Sequence, residues 1–406
     1  MVNFGAFQYS VYNQGYYSQT NLNVGGPGYD CGFSSQTSGY SSVSGLFNVI
    51  DSIDSVLGNN NQGGGLWNSI CDMFGWGGGS SSAVVGNNYN LNNSGWNVAQ
   101  SAVGSNNNLY GYGIENTSQA VAGMNNYAYG QGWNVAQAGS GINNVLEGNG
   151  VNVSQSMSGY ENIINGTGWN VNQAVSGYGN QATANGVNVN QSASGFGNTI
   201  TGNGSNQTYQ TIMGWNNTAT TDSNNASQYA WGNGNTLVSN GNNATQVAQG
   251  GNNTLIANGT GNTQITGAGN DTITTGGGTV NAGAGNDTVN IKGGAGESKV
   301  DLGSGDDTLN IEMNNQNGNI SVNGGEGQDK VNIKDTTTTS TEWAVDFNTE
   351  GENTSFSIKV GDSTYVIGND VEALNITNAN GETVLDVANV SEWYAQQQAL
   401  QQQKTA

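Results

Sequence analysis

Ten glutamines, Gln100, Gln119, Gln137, Gln155, Gln173, Gln191, Gln210, Gln228, Gln246 and Gln264, stand 18 or 19 residues apart. A register held over that length confines the chain to an architecture that repeats. A second row keeps step with the first: Asn108, Asn126, Asn144, Asn162, Asn180, Asn198, Asn217, Asn235 and Asn253, continued at looser spacing by Asp271, Asp287, Asp307 and Asp329. Two residues past each member stand Tyr110, Ala128, Leu146, Ile164, Ala182, Ile200, Ala219, Leu237, Leu255, Ile273, Val289, Leu309 and Val331, the positions expected to point inward. Two residues before each Gln stand small residues such as Val98, Thr117, Val135, Val153, Val171 and Val189. Since i and i+2 share one face of a strand, the Gln row is expected to point inward as well.

Glycines such as Gly159, Gly177, Gly195, Gly214, Gly232 and Gly250 precede the Asn row, where a reversing chain needs positive φ or close backbone approach. Each unit therefore reads as strand, turn, strand, turn. The expected fold is all-β: a parallel β-roll or β-solenoid of about thirteen coils with N- and C-terminal caps, roughly 60 Å long at the spacing of stacked strands. Composition agrees, because 34% hydrophobic residues and 66 glycines leave too little for a two-layer core. Only 8% of residues are charged, and the polar excess consists of amides and hydroxyls that can stack in ladders, each buried amide bonding to those above and below.

Charge and residue types exclude several function classes. The six basic residues are all Lys, beginning at Lys292, and 18 of the 28 acidic residues follow it. Nothing here neutralises a phosphate backbone, so no nucleic-acid partner is expected. With no His in the chain, imidazole bases, Ser-His-Asp triads and the usual zinc sites are ruled out, and no enzymatic activity is expected. Cys31 and Cys71 match no metal or redox spacing and read as one disulfide or two inert thiols. The N-terminus lacks the basic and apolar regions of a secretory signal peptide, and no run is long enough for a transmembrane segment.

Four turns then resemble the calcium-binding nonapeptide of the RTX (repeats-in-toxin, hemolysin-type) family, G-G-x-G-x-D-x-U-x with U a large apolar residue. They are Gly267-Ala268-Gly269-Asn270-Asp271-Thr272-Ile273, Gly283-Ala284-Gly285-Asn286-Asp287-Thr288-Val289, Gly303-Ser304-Gly305-Asp306-Asp307-Thr308-Leu309 and Gly324-Gly325-Glu326-Gly327-Gln328-Asp329-Lys330-Val331. The resemblance implies Ca2+ between turns of neighbouring coils. Its ligands would come from Gly267, Gly269, Asp271, Gly283, Gly285, Asp287, Gly303, Gly305, Asp307, Gly325, Gly327 and Asp329. The residue types suit that ion, which takes six to eight oxygens from carboxylates and carbonyls. Four stacked turns offer up to three sites, with Asp329 at the end of the row. The opposite edge departs from the motif, carrying Gly276-Gly277-Gly278, Gly294-Ala295-Gly296-Glu297 and Asn317-Gly318-Asn319, so fewer ions are expected than in a symmetric roll.

The preceding coils resemble the curlin family of amyloid-forming fibre subunits. Gln173, Gly177-Tyr178-Gly179-Asn180 and Ala182 reproduce its order of Gln, Gly-x-Gly-Asn turn and apolar residue, as do Gln191, Gly195-Phe196-Gly197-Asn198 and Ile200. In register, the Asn of these coils falls where the calcium-binding Asp falls later. Stacked Asn bonds and stacked Asp repels without an ion, so the Asn coils should need no calcium.

The chain accordingly divides into a Gly/Tyr/Ser-rich N-terminal segment or cap (1–86), an Asn/Gln-ladder solenoid (87–265), an RTX-like roll (266–335), a β-rich cap (336–389) and a C-terminal tail (390–406). In 1–86, Leu46, Ile50, Ile53 and Leu57 lie at helical spacing, and Leu66, Trp67, Ile70, Met73 and Phe74 form a second apolar stretch. These read as a cap over the first coil or as a segment for self-association. Five strand-like runs follow Asp335, and Val390 to Gln403 reads as a helix. In RTX proteins the uncleaved C-terminal region carries the type I secretion signal, which implies an extracellular or cell-surface protein.

The functional expectation is a secreted calcium-binding structural protein of the extracellular matrix, fibre or cell surface, of the biofilm or adhesion type. Self-association into fibres or layers and contact with cell-surface polysaccharide are the expected partnerships. The alternative is binding to ice or another crystalline surface, through the outward row Thr199, Thr218, Thr236, Thr254, Thr272, Thr288 and Thr308. A toxin or hydrolase would need a catalytic domain, and a repeat beginning near residue 95 leaves too little chain for one.

Overall fold

The computed structural model describes residues 7–13, 16–22, 79–314, 318–337, 344–350, 353–360 and 364–405. The described chain is mostly β-strand, and its parallel coils of about 18 residues form a β-solenoid of about 14 turns, not a barrel. Two compact units are present, Met1–Gln191 and Ser192–Ala406. Cys31, Cys71, both apolar stretches of the N-terminal segment, Asn317 and Trp343 lie outside the described residues.

In the first unit, Phe7–Asn13 and Tyr16–Leu22 pair as an antiparallel hairpin. The coils begin with Gly79–Val85 and continue with Asn90–Ser105, Asn108–Met124, Tyr127–Ile142, Val145–Tyr160 and Ile163–Tyr178. Each pairs in parallel with the next, so that Leu109 lies on Ala128, Ala128 on Leu146 and Leu146 on Ile164. From Asn90 onward a coil is one long strand, and from Asn108 to Tyr178 it is bent at a Gly-x-Gly corner, such as Gly148-Asn149-Gly150, through which the pairing continues.

The interior explains those corner glycines. The Gln row is buried, and Gln155 Nε2 donates to Gln137 Oε1 at 2.7 Å and to the Asn165 carbonyl at 2.8 Å. A ladder satisfied in this way removes the desolvation penalty of each amide. Its amides fill the corner: a Cβ on Gly148 would lie 2.8 Å from Val153 Cγ1 and 3.1 Å from Gln137 Oε1. Packing is complementary from coil to coil as well, since Met157 occupies the space over Gly139, where a Cβ would come within 2.5 Å of its sulfur. The ladder starts at Asn93, whose Oδ1 accepts from Ser82 Oγ at 2.8 Å and Gln100 Nε2 at 3.3 Å.

One register assignment is corrected. Where the coil Asn108–Met124 begins, the buried members are Asn107 and Leu109, not Asn108 and Tyr110. That coil is one residue longer than the one that follows, and the pairing shifts between Gly95 and Asn97 and again between Tyr112 and Asn116. A one-residue slip sends the neighbouring side chain to the other face.

In the second unit most coils split into two short strands, for example Thr236–Ser239 with Thr245–Gln249 and Thr254–Ala257 with Asn262–Ile265. The inward row runs Ala219, Leu237, Leu255, Ile273, Val289, Leu309, Val331 and Leu374 in continuous parallel register. Gln228, Gln246 and Gln264 stack likewise, and then Val280, Val300 and Val322 take the position over. The amide ladder therefore ends at Gln264, whose Oε1 is buried without a donor.

Beyond Asp335 the runs read from sequence appear as Ala344–Glu350, Asn353–Val360, Thr364–Asn369, Ala373–Thr377 and Thr383–Val387, followed by the helix Val390–Thr405. Two of them belong to the solenoid itself: Thr364–Asn369 pairs in parallel with Ile320–Glu326, and Ala373–Thr377 with Lys330–Asp335. Antiparallel pairing of Thr383–Val387 on Ala373–Thr377 ends the stack, so this edge is not left open to another chain. The helix is capped by Asn389, whose Oδ1 accepts from the Glu392 N–H at 3.0 Å. Among the described residues no helix is long and apolar enough to cross a membrane.

Candidate metal-binding turns

The turn between coils has the same construction in both units, and the Asn version shows what it requires. Asn162 is fully buried. Its Oδ1 accepts the Asn144 backbone N–H at 2.9 Å, and its Nδ2 donates to the carbonyls of Gly141 at 3.0 Å and Ser158 at 3.2 Å and to Asn180 Oδ1 at 2.9 Å. The amide thus offers an oxygen to one coil and N–H groups to a ring of carbonyl oxygens. Chain reversal beside it depends on Gly159, at φ 124°, where a Cβ would stand 2.0 Å from the Gly141 carbonyl oxygen.

Asp271, Asp287, Asp307 and Asp329 continue this row and are all buried. Their Oδ1 atoms keep the ladder: Asn253 N–H donates to Asp271 at 2.6 Å, Asp271 to Asp287 at 2.7 Å, Asp287 to Asp307 at 2.6 Å and Asp307 to Asp329 at 2.9 Å. Their Oδ2 atoms, which replace the amide nitrogen, are buried with no hydrogen-bond partner in all four cases. A buried carboxylate oxygen with no donor is stabilised by either a proton or a cation.

The glycines singled out from sequence form the walls of these turns. Gly267, Gly283, Gly303 and Gly325 stack so closely that a Cβ on Gly303, at φ 103°, would lie 1.9 Å from the Gly283 carbonyl oxygen. Gly269, Gly285 and Gly305 are tied to the next coil through N–H bonds to Ala284 at 2.7 Å, Ser304 at 2.8 Å and Glu326 at 2.7 Å, and Gly327 lies over Gly305. An outer ladder runs beside them, in which Asn286, Asp306 and Gln328 N–H groups donate to Asn270, Asn286 and Asp306 Oδ1 at 2.9, 3.0 and 3.0 Å. On the opposite edge the stacking is backbone to backbone, with Gly278 N–H on the Glu297 carbonyl at 2.8 Å and Gly318 N–H on that of Ala295 at 2.9 Å.

The Asp edge offers hard oxygens, one orphaned carboxylate oxygen per coil, at the row position where Asn162 and Asn253 in earlier coils reach backbone carbonyls. That set fits calcium, whereas softer metals favour thiolate or imidazole. Among the described residues no three or more His, Cys, Asp or Glu side chains cluster, so an ion here would depend on carbonyls for most of its shell.

Asp329 does not end the row. Its N–H donates to Glu372 Oε2 at 2.7 Å, which makes Glu372 the next acceptor, 43 residues along the chain. Sequence reading missed it because the strands between 344 and 369 interrupt the period; the pairing of Val331, Asn332 and Ile333 with Leu374, Asn375 and Ile376 carries the register across.

Burial pushes the Asp271 carboxyl up to about 6 and those of Asp287 and Asp329 up to about 7, and raises Asp307 as well. Neighbouring carboxylates add to the rise, Asp307 and Asp271 at Asp287, and Asp307, Glu372 and Asp306 at Asp329. Each group binds its proton more tightly folded than unfolded, where the ordinary value is 3.8. Without calcium, stability is therefore fully present below that value and is lost as pH rises towards about 7. Thermal melts of the calcium-free protein should accordingly show these coils melting at lower temperature at pH 8 than at pH 5. A melt independent of pH would mean that the orphaned oxygens do not govern stability.

No family model matches the chain, and no curated protein or solved structure matches it either.

Proposed function

We propose that the protein is a calcium-stabilised structural solenoid of the cell exterior, a component of matrix, fibre or surface layer without catalytic activity. The observation that carries this reading is the row of four buried Asp side chains whose second oxygen has no donor. In its terms Asp271, Asp287, Asp307 and Asp329 would hold Ca2+ with the carbonyls of the Gly-rich turns. The ion would supply the positive charge that lets the Asp coils stack as the Asn coils do. The resemblance to RTX turns supports both the metal and export by a type I route, with the C-terminal helix region as its signal. The curlin-like amide ladders support self-association, because amides stacked at the strand spacing are the construction by which cross-β assemblies add further strands.

Electron microscopy of the full chain in millimolar calcium and in chelator tests the proposal. Regular rods, fibres or layers are expected in calcium, and particles that stay dispersed in both conditions would count against an assembling role.

A second reading, binding to ice, is favoured by the Thr row. Thr199, Thr218, Thr236, Thr254, Thr272, Thr288 and Thr308 pair in one parallel register. Thermal hysteresis of the purified protein separates it from the first.

A further inference from the structure

A different face of the first unit carries exposed aromatic residues that neither the core nor the amide ladders use. At the corner of successive coils stand Trp96, Ile114, Trp133, Val151, Trp169 and Val187. Trp96 is 54% exposed, Trp133 and Trp169 are each 59% exposed, and Ile114 is 65% exposed. Tryptophan thus recurs at every second coil, about 9.6 Å apart at the spacing of stacked strands. Val151 sits between Trp133 and Trp169 within a register that pairs Gly132, Gly150 and Gly168 on one side and Asn134, Asn152 and Asn170 on the other.

Beside the indoles runs a solvent-facing ladder of amides. Asn116 Nδ2 donates to Asn97 Oδ1 at 2.7 Å, Asn134 to Asn116 at 2.9 Å, Asn152 to Asn134 at 2.8 Å and Asn170 to Asn152 at 2.9 Å. An amide has two N–H groups and two lone pairs, so one of each remains for a ligand after the ladder is made. Next to it Ala99, Ser118, Ala136 and Ser154 lie in register, side chains too short to hold a polymer off the indoles.

We propose that this face binds a neutral, extended β-1,4-linked polysaccharide, with the pyranose rings stacked on Trp96, Trp133 and Trp169 and their hydroxyls bonded to the Asn ladder. The inference names a partner and a site for the extracellular role proposed above and rests on that reading. In such a chain successive sugars are turned by half a revolution, so the same ring face returns at every second unit, and each unit spans little more than one coil. The C–H face of a pyranose is apolar and slightly positive, and the indole face is negative. Charge favours a neutral polymer, since the only charged side chains from 79 to 191 are Glu115, Glu147 and Glu161. Trp96 is oriented by one of them, its Nε1 donating to Glu115 Oε2 at 2.6 Å. A second protein copy suits the face less well, because three half-exposed indoles and Ile114 offer roughly 500 Å2 against about 800 Å2 per partner in stable pairs.

The test is co-sedimentation of the full chain with microcrystalline cellulose and with chitin, using α-linked dextran as the control, in calcium and again in chelator. Binding to a β-1,4 polymer and not to dextran is expected. Affinity should fall about tenfold or more in Trp133→Ala with Trp169→Ala and be largely kept in the corresponding Tyr pair. Absence of binding, equal binding to dextran, or equal affinity of the Ala pair would overturn the proposal. So would a wild-type dimer in sedimentation velocity that the Ala pair abolishes, which would assign the face to a second copy. Trp133 and Trp169 lie in Asn coils outside the Asp row, so polymer binding is expected in calcium and in chelator alike, and a circular dichroism signal that ignores chelator while polymer binding stays intact would refute the calcium reading and leave this one standing.

Discussion

Replacing Asp271, Asp287, Asp307 and Asp329 together by Asn is expected to free the second unit from calcium. In the wild type, circular dichroism should show β-structure lost in chelator and regained in millimolar calcium, because four buried carboxylates each leave one oxygen without a donor. Ion binding to the folded turns alone stabilises by mass action, about 2.7 kcal/mol per site when calcium stands at a hundred times its dissociation constant. Asn at these positions has a precedent in the molecule: Asn253 Nδ2 already donates to the Gly250 carbonyl at 2.7 Å. The fourfold variant should therefore keep its β signal in chelator and show no response to calcium. If it unfolds in chelator as the wild type does, the orphaned oxygens are not the source of the dependence. Of the single variants, Asp329→Asn should cost calcium affinity as the inner ones do, because Glu372 stands beyond it.

The second large effect concerns the amide ladder. Gln155, Gln173 and Gln191 are buried, and each donates from Nε2 to the Gln one coil earlier, at 2.7, 2.8 and 2.8 Å. Changing all three to Glu removes those donors and stacks three desolvated carboxylates one above another. A buried charge without its partner costs about 3–5 kcal/mol, so the triple variant should lose the β-structure of these coils at neutral pH. Acid should restore it, since a buried carboxyl titrates higher folded than unfolded and the folded state then gains stability as pH falls. Far-ultraviolet dichroism against pH follows the loss and recovery, and dye fluorescence follows any fibre growth. Wild-type structure and assembly in the triple variant at neutral pH would require the ladder to be abandoned.

The order of the coils was legible in the sequence because parallel in-register stacking places equivalent residues at a constant offset. That offset alone identified the inward Gln row, the apolar row from Ala128 to Val331 and the succession of Asn by Asp. It failed at Asn107 and Leu109, where an extra residue in one coil moves the inward face by one position and a period cannot say which neighbour absorbs it. Tertiary structure alone decided the rest. It showed that Asp Oδ1 and Oδ2 have different fates, since one accepts the preceding coil's N–H and the other has no donor. It brought Glu372 onto Asp329 across the strands that interrupt the repeat. It also placed Trp96, Trp133 and Trp169 at an open corner, where a bend set by the glycines turns them to solvent. A repeat fixes which residues share a row, whereas the environment of a row depends on how each coil closes upon its neighbours, and closure is a property of the folded backbone.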